Sequence, residues 1–325
     1  MPYSISAQQT GGPEVLIPHE INIAEPSDEE VLIQHTAIGL NFIDTYHRTG
    51  LYPVETKPFT PGLEAAGIIK KTGRNVSRFK EGDRIGYCTG PIGAYATHRN
   101  IAADKIIALP DNITDEIAAA SMLKGMTAEY LIRRTYEVQP GQTVLFHAIS
   151  GGVGAIACQW LKHIGATIIG TAGSKEKAEM AKNNGCDHVI RYDRDDFVEA
   201  VQDITHGKGV PVVYDSVGKD TFEGSINCLS PRGMMVSFGN ASGPVPAIEP
   251  LLLTQKGSLY ITRPSLMAYT ATYEEYAASA AALFDMIASG AVKIHIGQTY
   301  ALKDAAKAHT DLEARKTSGS SLLLP

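Results

Sequence analysis

Hydrophobic positions in the middle of the chain follow two alternating periods. Apolar runs of strand length occur at residues 143–147 and 166–171, and between them apolar residues recur at helical spacing up to Ile164. The same alternation continues to about residue 262. It predicts further strands at residues 188–192, 210–215, 234–238 and 258–262, and further helices at 175–184, 195–205 and 221–229. Six strands joined by crossover helices predict an α/β fold with a doubly wound parallel sheet of the Rossmann type.

The flanking parts of the chain have a different pattern. Short apolar stretches at residues 31–37, 66–71 and 84–87 alternate with turn signals, which predicts a mixed, β-rich domain. A helix over residues 122–134 is expected to lead into the parallel sheet. The tail is expected to form helices at residues 274–289 and 302–315 and a strand at 320–324, and to fold back onto the first domain. The predicted domains are therefore residues 1–124 with 265–325, and an inserted domain over residues 125–264.

A glycine cluster joins the first strand of the predicted parallel sheet to its first helix. Gly151, Gly152 and Gly154 surround Val153. A turn without side chains lets backbone N–H groups and the amino end of a helix approach a pyrophosphate, whose negative charge the helix dipole favours. Ile149 stands where the six-residue fingerprint has its first glycine, so an ordinary strand–helix turn is the alternative. The context favours dinucleotide binding by Gly151, Gly152 and Val153.

The end of the second strand of this sheet distinguishes between cofactors. An NAD site usually has a carboxylate about 20 residues after the glycines, where it binds the ribose 2′-hydroxyl. This chain has small residues, a hydroxyl and lysines there, and Gly173, Ser174 and Lys177 could give a 2′-phosphate room, a hydrogen-bond donor and positive charge. A helix N-cap at Ser174 followed by solvated lysines is the alternative, and both interpretations can hold together. The pattern favours NADPH.

Composition narrows the class of protein. The 325 residues carry a formal charge of −6 without a basic tract, which argues against a dedicated nucleic-acid surface. The chain shows neither a signal-peptide pattern nor an apolar run of membrane-spanning length. Its four cysteines are far apart, as expected of reduced thiols in a cytoplasmic protein. The histidines form no ligand cluster, and His147, at a strand end, is interpreted as a satisfied buried imidazole.

With these segments in hand, the whole chain resembles the zinc-free quinone oxidoreductases of the medium-chain dehydrogenase/reductase superfamily, the ζ-crystallin type included. The stretches that carry the resemblance are GPEVL at residues 12–16, PGLEAAG at 61–67, GGVG at 151–154, DSVG at 215–218, VSFGN at 236–240 and TRPSL at 262–266. The last two are nearest to bacterial NADPH:quinone reductases. The resemblance implies a GroES-like catalytic domain around the dinucleotide domain, NADPH as the cofactor, and a homodimer that could form across the edge strand at residues 258–262.

The same resemblance implies a reaction without a bound metal. Zinc alcohol dehydrogenases of the superfamily have a ligand cysteine where Asn41 stands and a ligand histidine where Leu63 stands. Zinc requires thiolate, imidazole or carboxylate ligands, and leucine cannot serve. We therefore expect no metal ligands in this chain.

By resemblance, a polar and aromatic segment at residues 39–50 lines the nicotinamide half of a cleft between the domains, with Tyr52 nearby. Its implied site residues are Asn41, Phe42, Ile43, Asp44, Thr45 and Tyr46. Hydride reduction of a quinone leaves an anionic oxygen that gains from a hydrogen-bond donor, so Asn41, Tyr46 and Tyr52 are the catalytic candidates. A half-buried tyrosine that anchors a helix is the alternative for Tyr46. A reactive quinone could also need positioning alone, without a proton donor.

Further cofactor contacts are implied at the carboxyl ends of the parallel strands and near the tail. Carboxyl ends of strands are where ligands bind in this architecture. Tyr192 is expected to end the third strand and to cover the adenine. The other implied residues are Thr127, Tyr130, Ser216, Val217, Phe238, Gly239, Asn240 and Arg315.

These observations predict a cytoplasmic NADPH:quinone oxidoreductase that transfers hydride from the nicotinamide to a quinone or a similar electrophile. One alternative is the NADPH-dependent reduction of an activated C=C bond in an enal or enone. The other is a non-enzymatic, NADPH-linked role in RNA binding or as a crystallin-like structural protein. Fold alone does not separate them.

Overall fold

The computed structural model describes residues 1–325 and contains fifteen strands and ten α-helices. The strands are β1 (Tyr3–Ser6), β2 (Ile17–Glu20), β3 (Glu30–Leu40), β4 (Glu64–Thr72), β5 (Arg84–Tyr87), β6 (His98–Ala102), β7 (Ile107–Ala108), β8 (Thr143–Phe146), β9 (Thr167–Ala172), β10 (His188–Arg191), β11 (Val210–Asp215), β12 (Leu229–Ser237), β13 (Tyr260–Thr262), β14 (Ile296–Ala301) and β15 (Ser320–Leu324). The helices are α1 (Phe42–Thr49), α2 (Asp115–Tyr130), α3 (Gly152–Ile164), α4 (Lys175–Asn183), α5 (Phe197–Ile204), α6 (Phe222–Asn227), α7 (Pro250–Gln255), α8 (Leu266–Tyr269), α9 (Tyr273–Ala288) and α10 (Ala305–Glu313).

The chain divides into two compact units. Unit one comprises Met1–Met126, Thr270–Ala288 and Ile294–Pro325, and unit two comprises Thr127–Tyr269 and Ser289–Lys293. The parallel sheet lies in unit two, and the sequence before and after it forms unit one. The predicted fold class, a Rossmann-type sheet inserted in a β-rich domain, is confirmed.

Unit two is built on a six-stranded sheet in the order β10-β9-β8-β11-β12-β13, and every adjacent pair is parallel. Its central strands are short, rich in β-branched residues and almost fully buried, because helices cover both faces of such a sheet. The chain runs outward from β8 to β10, then crosses back to β11 and runs outward the other way. The order therefore reverses between β8 and β11, where ligands bind in doubly wound sheets.

Two strands of this sheet differ from their predicted bounds by more than one residue. β12 begins at Leu229 rather than at residue 234, and its register shifts opposite Val210 to Val212. The first half of β12 was not predicted because it contains Pro231 and Gly233, which are typical of turns. β13 is shorter than residues 258–262 because Ser258 has a left-handed backbone, with φ of 57°. Helix α7 was not predicted.

Unit one is built on a sheet in the order β14-β15-β3-β4-β5-β7, with β6 paired to β3 and a separate β1–β2 ladder. The long strand β3 is its centre, because β4, β6 and β15 all pair with it. The apolar side chains of these strands form the core of the unit. β6, β7 and β14 were not predicted. Helix α2 begins at Asp115 rather than at residue 122 and is followed by a π-helical turn at Leu131–Thr135.

None of the helices combines the length and the apolar character that crossing a bilayer requires.

Candidate active site

The turn between β8 and α3 has the geometry of a phosphate cradle. Ala148 has a left-handed backbone, with φ of 52°, and its carbonyl accepts a hydrogen bond of 2.8 Å from the N–H of Gly151. No side chain caps α3, whose N-cap is Gly151. A Cβ on Gly154 would lie 2.5 Å from the oxygen of Ala148 and 2.7 Å from backbone atoms of Ile149. The helix therefore approaches the turn closely, with its first N–H groups available to an anion.

Ile149 replaces the first glycine of the fingerprint without disturbing this turn. Its side chain is fully buried, and its N–H donates to the oxygen of Thr171 at 3.1 Å. A Cβ on Gly170, in the neighbouring strand β9, would lie 2.5 Å from Cγ2 of Ile149. The missing side chain at Gly170 therefore gives Ile149 its room.

The residues predicted around a 2′-phosphate lie together at the carboxyl end of β9. Ser174 is the N-cap of α4, and its Oγ accepts a hydrogen bond of 3.2 Å from the N–H of Lys177. The hydroxyl of Tyr192 occupies the space that a Cβ on Gly173 would need. Tyr192 is 43% exposed and lies in the turn after β10, which ends at Arg191 and not at Tyr192 as predicted. Arg191 was not predicted here, and it pairs with Asp193 at 2.6 Å.

The loops after β11 and β12 hold each other in place. The N–H groups of Ala241 and Ser242 donate to the oxygens of Ser216 and Val217 at 3.1 and 2.8 Å. Arg263, which sequence reasoning did not select, donates to the oxygen of Gly239 at 3.0 Å. The residues selected here had been predicted to end the two strands, but they lie in the loops that follow them. They are Ser216, Val217, Phe238, Gly239 and Asn240.

In unit one, Asn41 is held by a buried polar cluster. It is the N-cap of α1 and is 5% exposed, and its Nδ2 donates to Oε2 of Glu64 at 2.7 Å. Oε1 of Glu64 accepts the N–H of Leu123 at 2.7 Å, and Nζ of Lys124 lies 3.6 Å from Oε2. Burial raises the pKa of Glu64, against the opposing effects of Lys124 and the Asn41 amide. Sequence reasoning did not select Glu64, although a carboxylate beginning an apolar strand was the available signal.

Asp44 lies in the interior of unit one and does not face solvent. It is fully buried, and its Oδ2 accepts the N–H of Asn41 and the hydroxyl of Tyr95, both at 2.9 Å. Its Oδ1 has no hydrogen-bond partner. Burial raises the pKa of Asp44 to about 7.

A relay of side chains continues from Tyr95 to the tail. The Tyr95 hydroxyl lies 3.0 Å from Nε2 of His309, and Nη1 of Arg48 lies 3.1 Å from Nδ1 of the same ring. Arg48, itself 1% exposed, is paired with Glu313 at 2.7 Å. Arginine is always a donor, so Nδ1 of His309 accepts and Nε2 carries the proton. Burial and the Arg48 charge lower the pKa of His309 to about 3, as a neutral ring requires.

The exposed side of α1 carries aromatic rings. Phe42 is 36% exposed, and Tyr46 and Tyr52 are half-buried. The centroid of the Tyr46 ring lies 5.7 Å from that of Phe42 and 5.2 Å from that of Tyr52. Thr45 is buried, with its hydroxyl donating to the oxygen of Phe42 at 2.7 Å. Ile43, on the same helix, is half-buried.

The three remaining selected residues have different surroundings. Thr127 is half-buried on α2. Tyr130 is 2% exposed and stacks on Tyr269 with a centroid distance of 4.6 Å. Arg315 is exposed beyond the end of α10 and has a left-handed backbone, with φ of 58°. Their binding roles stay predictions.

The chain contains no group of three or more His, Cys, Asp or Glu side chains that could hold a metal ion. Leu63 is 2% exposed in the core of unit one. The four cysteines are free and buried.

Comparison with known proteins agrees with this architecture. The alcohol dehydrogenase GroES-like domain family matches residues 27–140, and the zinc-binding dehydrogenase family matches residues 152–283. A GroES-like, β-rich unit followed by the parallel-sheet unit of the zinc-binding dehydrogenase family places the chain in the class of two-unit dehydrogenases and reductases.

Full-length relatives define the family more narrowly. A quinone oxidoreductase of Salmonella typhimurium is 53% identical over 99% of both chains. The crystal structure of Escherichia coli quinone oxidoreductase complexed with NADPH has a TM-score of 0.98 and 51% identity, and covers 99% of this chain and 100% of that one. A 2-haloacrylate reductase of a Burkholderia species is 44% identical over 97% of this chain and 96% of its own. The chain belongs to the quinone oxidoreductase family, and the resemblance seen in its sequence motifs is confirmed.

Proposed function

We propose that this protein is an NADPH-dependent quinone oxidoreductase that transfers hydride from the nicotinamide to a quinone. The observation that carries the proposal is the glycine turn at Ala148–Gly154, which leads into an uncapped helix, combined with a β9 end that has a hydroxyl and a lysine in place of a carboxylate. The E. coli relative of the same fold was solved with NADPH, and the Salmonella relative is a quinone oxidoreductase.

The residues of unit two fit this cofactor. The uncapped start of α3, at Gly151 and Gly152, would hold the pyrophosphate through backbone N–H groups. Ser174, Lys177 and Tyr192, which lie around Gly173, would hold the 2′-phosphate. The bound cofactor supplies the hydride, so the protein has to orient it and exclude competing reactions.

Residues of unit one are the candidates for action on the acceptor. One N–H of the Asn41 amide is bonded to Glu64, which fixes the amide and leaves its second N–H as a donor. The Tyr46 hydroxyl is a second candidate donor, on a half-buried ring that Phe42 and Tyr52 contact. A donor of this kind stabilises the oxyanion that hydride addition to a quinone creates.

Cofactor choice tests the proposal. Replacing Lys177 with Ala should weaken NADPH binding by about 10- to 100-fold and leave NADH binding nearly unchanged, because only NADPH has the 2′-phosphate. Lys182→Ala is the matched control, since Lys182 lies in the last turn of the same helix and pairs with Glu179 at 3.2 Å. Titration calorimetry with both cofactors gives the comparison. Equal losses for NADPH and NADH in Lys177→Ala would contradict the assigned role.

A second candidate function is reduction of an activated C=C bond. The 2-haloacrylate reductase among the relatives favours it, since its named substrate is an electron-poor alkene. Comparing NADPH consumption with a benzoquinone, with an enone and with no acceptor separates the two reactions. Turnover of the enone with negligible turnover of the quinone would replace the first proposal by the second.

We also propose a cytoplasmic homodimer. The four free, buried cysteines suit a reducing compartment. The dimer would form across β13, an edge strand that pairs on one side only with β12 and presents Tyr260 at 60% exposure. Tyr260→Asp should give monomers in sedimentation or light scattering at micromolar concentration, whereas His188→Asp, on the opposite edge strand, should not. Wild-type protein that is monomeric in this range would overturn the dimer.

A further inference from the structure

A chain of buried polar side chains runs below the carboxyl ends of β8, β9 and β11. Nδ1 of His147 lies 3.0 Å from Oγ1 of Thr171, and Nε2 of the same ring lies 2.9 Å from Oγ of Ser225. Oγ of Ser225 lies 3.1 Å from Oδ2 of Asp215. None of the four side chains is more than 1% exposed. We call these residues the His147 relay; sequence reasoning had given them no role in function.

The proton positions in the His147 relay follow from its charged end. Oδ2 of Asp215 also accepts the hydroxyl of Thr221, at 2.7 Å, and an ionised carboxylate can only accept. Ser225 must therefore donate to Asp215 and accept from Nε2–H of His147. Nδ1 of His147 is then left as an acceptor for the hydroxyl of Thr171. The ring is neutral in this arrangement, and burial, which outweighs the attraction of Asp215, lowers the pKa of His147 accordingly.

Both ends of the His147 relay hold backbone that the cofactor would meet. Oγ1 of Thr171 accepts the N–H of Ala148 at 3.2 Å, at the left-handed residue of the glycine turn. Oδ1 of Asp215 accepts the N–H groups of Val217 and Gly218 at 2.7 and 3.0 Å, in the loop after β11. A left-handed non-glycine residue persists only where its surroundings determine it, and Thr171 supplies one of the two bonds that hold Ala148.

We propose that Asp215, Ser225, His147 and Thr171 are positioning residues that couple the loop after β11 to the glycine turn and hold both in the shape that accepts the dinucleotide. This inference rests on the proposed cofactor. The His147 relay is not a nucleophile triad, because Ser225 is bonded to the carboxylate, the histidine donates to the serine, and no part of it is exposed. The His147 relay acts on the part of the site that would hold the pyrophosphate, a group that NADPH and NADH have in common.

The proposal is tested by cofactor binding to matched variants. Thr171→Val removes the hydroxyl at nearly constant volume, and it should weaken NADPH and NADH by the same factor, about 10-fold, the usual effect of one lost buried hydrogen bond. Thr171→Ser keeps the hydroxyl and should restore binding. Thr167→Val is the control, at the other end of β9. Ser225→Ala, which touches no cofactor-binding backbone, should weaken both cofactors in the same ratio and keeps the test valid if Thr171→Val fails to fold.

The outcomes separate this proposal from the one on which it rests. Wild-type protein that binds neither cofactor would overturn the proposed function itself. Wild-type protein that binds NADPH, with folded Thr171→Val and Ser225→Ala variants of unchanged affinity, would overturn only the positioning role. A loss for NADPH alone would also overturn it, because the His147 relay would then act at the 2′-phosphate. Nitrogen-15 NMR of histidine-labelled protein should find Nε2 of His147 protonated and Nδ1 bare, and the opposite tautomer would refute the deduced direction.

Discussion

Neutralising Asp44 should remove one large contribution to the pH dependence of stability in unit one. The carboxyl is fully buried on α1, where Oδ2 accepts two hydrogen bonds and Oδ1 has no partner. Ionisation leaves a buried charge that the two hydrogen bonds and the more distant Lys124 compensate only in part. Asparagine in its place would keep an oxygen for the N–H of Asn41 and the hydroxyl of Tyr95, and it has no charge at any pH.

The size and sign of the effect follow from the pKa of Asp44. Burial raises it from 3.8 to about 7 in the folded protein. Because each pKa unit is worth about 1.4 kcal/mol, the folded state loses about 4 kcal/mol when the carboxyl ionises. A raised pKa means that this stability is fully present below about pH 4 and is lost as the pH rises to about 7. Asp44→Asn should therefore gain about 4 kcal/mol relative to the wild type across that window.

The measurement has to report on unit one. The single tryptophan, Trp160, lies on α3 in unit two, so its fluorescence follows the wrong unit. Urea unfolding should be followed by far-ultraviolet circular dichroism between about pH 4 and pH 8, with hydrogen exchange of the α1 amides assigning the transition. Asp311→Asn is the control. Its hydrogen bond to Lys307 lowers the pKa of Asp311, so its neutralisation should bring no gain as the pH rises.

Parallel stability profiles for the wild type and Asp44→Asn over this pH range would refute the reasoning. They would mean that the carboxyl is solvated or titrates at its ordinary pKa. A gain in Asp311→Asn equal to that in Asp44→Asn would refute it as well, because the effect would then come from net charge rather than burial.

Three further substitutions follow from the described contacts. Glu64→Gln should destabilise unit one by about 3 kcal/mol in urea unfolding, because Lys124 is left as an uncompensated buried charge, and adding Lys124→Met should recover part of the loss. Gly154→Ala should lower the affinity for NADPH and NADH alike by more than about 10-fold in titration calorimetry, since its Cβ meets backbone that cannot yield. Arg48→Met should lower the free energy of unfolding by about 2 kcal/mol, since it removes the buried bonds from Arg48 to Glu313 and His309. The loss stays at this size because Glu313 is partly exposed and water can hydrate its carboxylate.

The parallel sheet could be predicted because its information is local. β8, β9 and β11 are mostly apolar, and a glycine ends helix α3 between the first two, so the alternation of hydrophobic periods and the turn residues predicted these elements. β6 and β14 could not be predicted in this way. β6 reads HRNIA and β14 reads IGQTYA, and both have partly exposed side chains that no periodicity marks. Pairing with β3 and with β15 makes them strands.

The same contrast holds for the candidate sites. The glycine turn and the end of β9 each lie within a few consecutive residues, so their chemistry was readable in the sequence. Tyr95 and His309 are 214 positions apart, and Glu64 and Leu123 are 59 apart. Such contacts depend on the register of a whole sheet. The sequence around a histidine or a carboxylate therefore does not predict which distant side chain will bond to it. Sequence reasoning identified His147 as a satisfied imidazole, which is confirmed, but could not name Thr171 and Ser225.

The two buried relays that contain His309 and His147 each end on a group whose hydrogen-bonding role cannot change. In unit one the end is Arg48, which only donates, and in unit two it is Asp215, which only accepts. The fixed end determines the tautomer of the imidazole in each relay, because a neutral imidazole has one donor and one acceptor nitrogen and a hydroxyl has a single proton to donate. A chain of hydroxyls and histidines without such an end could reverse its direction, and the backbone it supports would then have two arrangements. The charged end therefore selects a single arrangement of the polar core, and it does so at positions that ordinary packing arguments, based on volume and apolar area, would not single out.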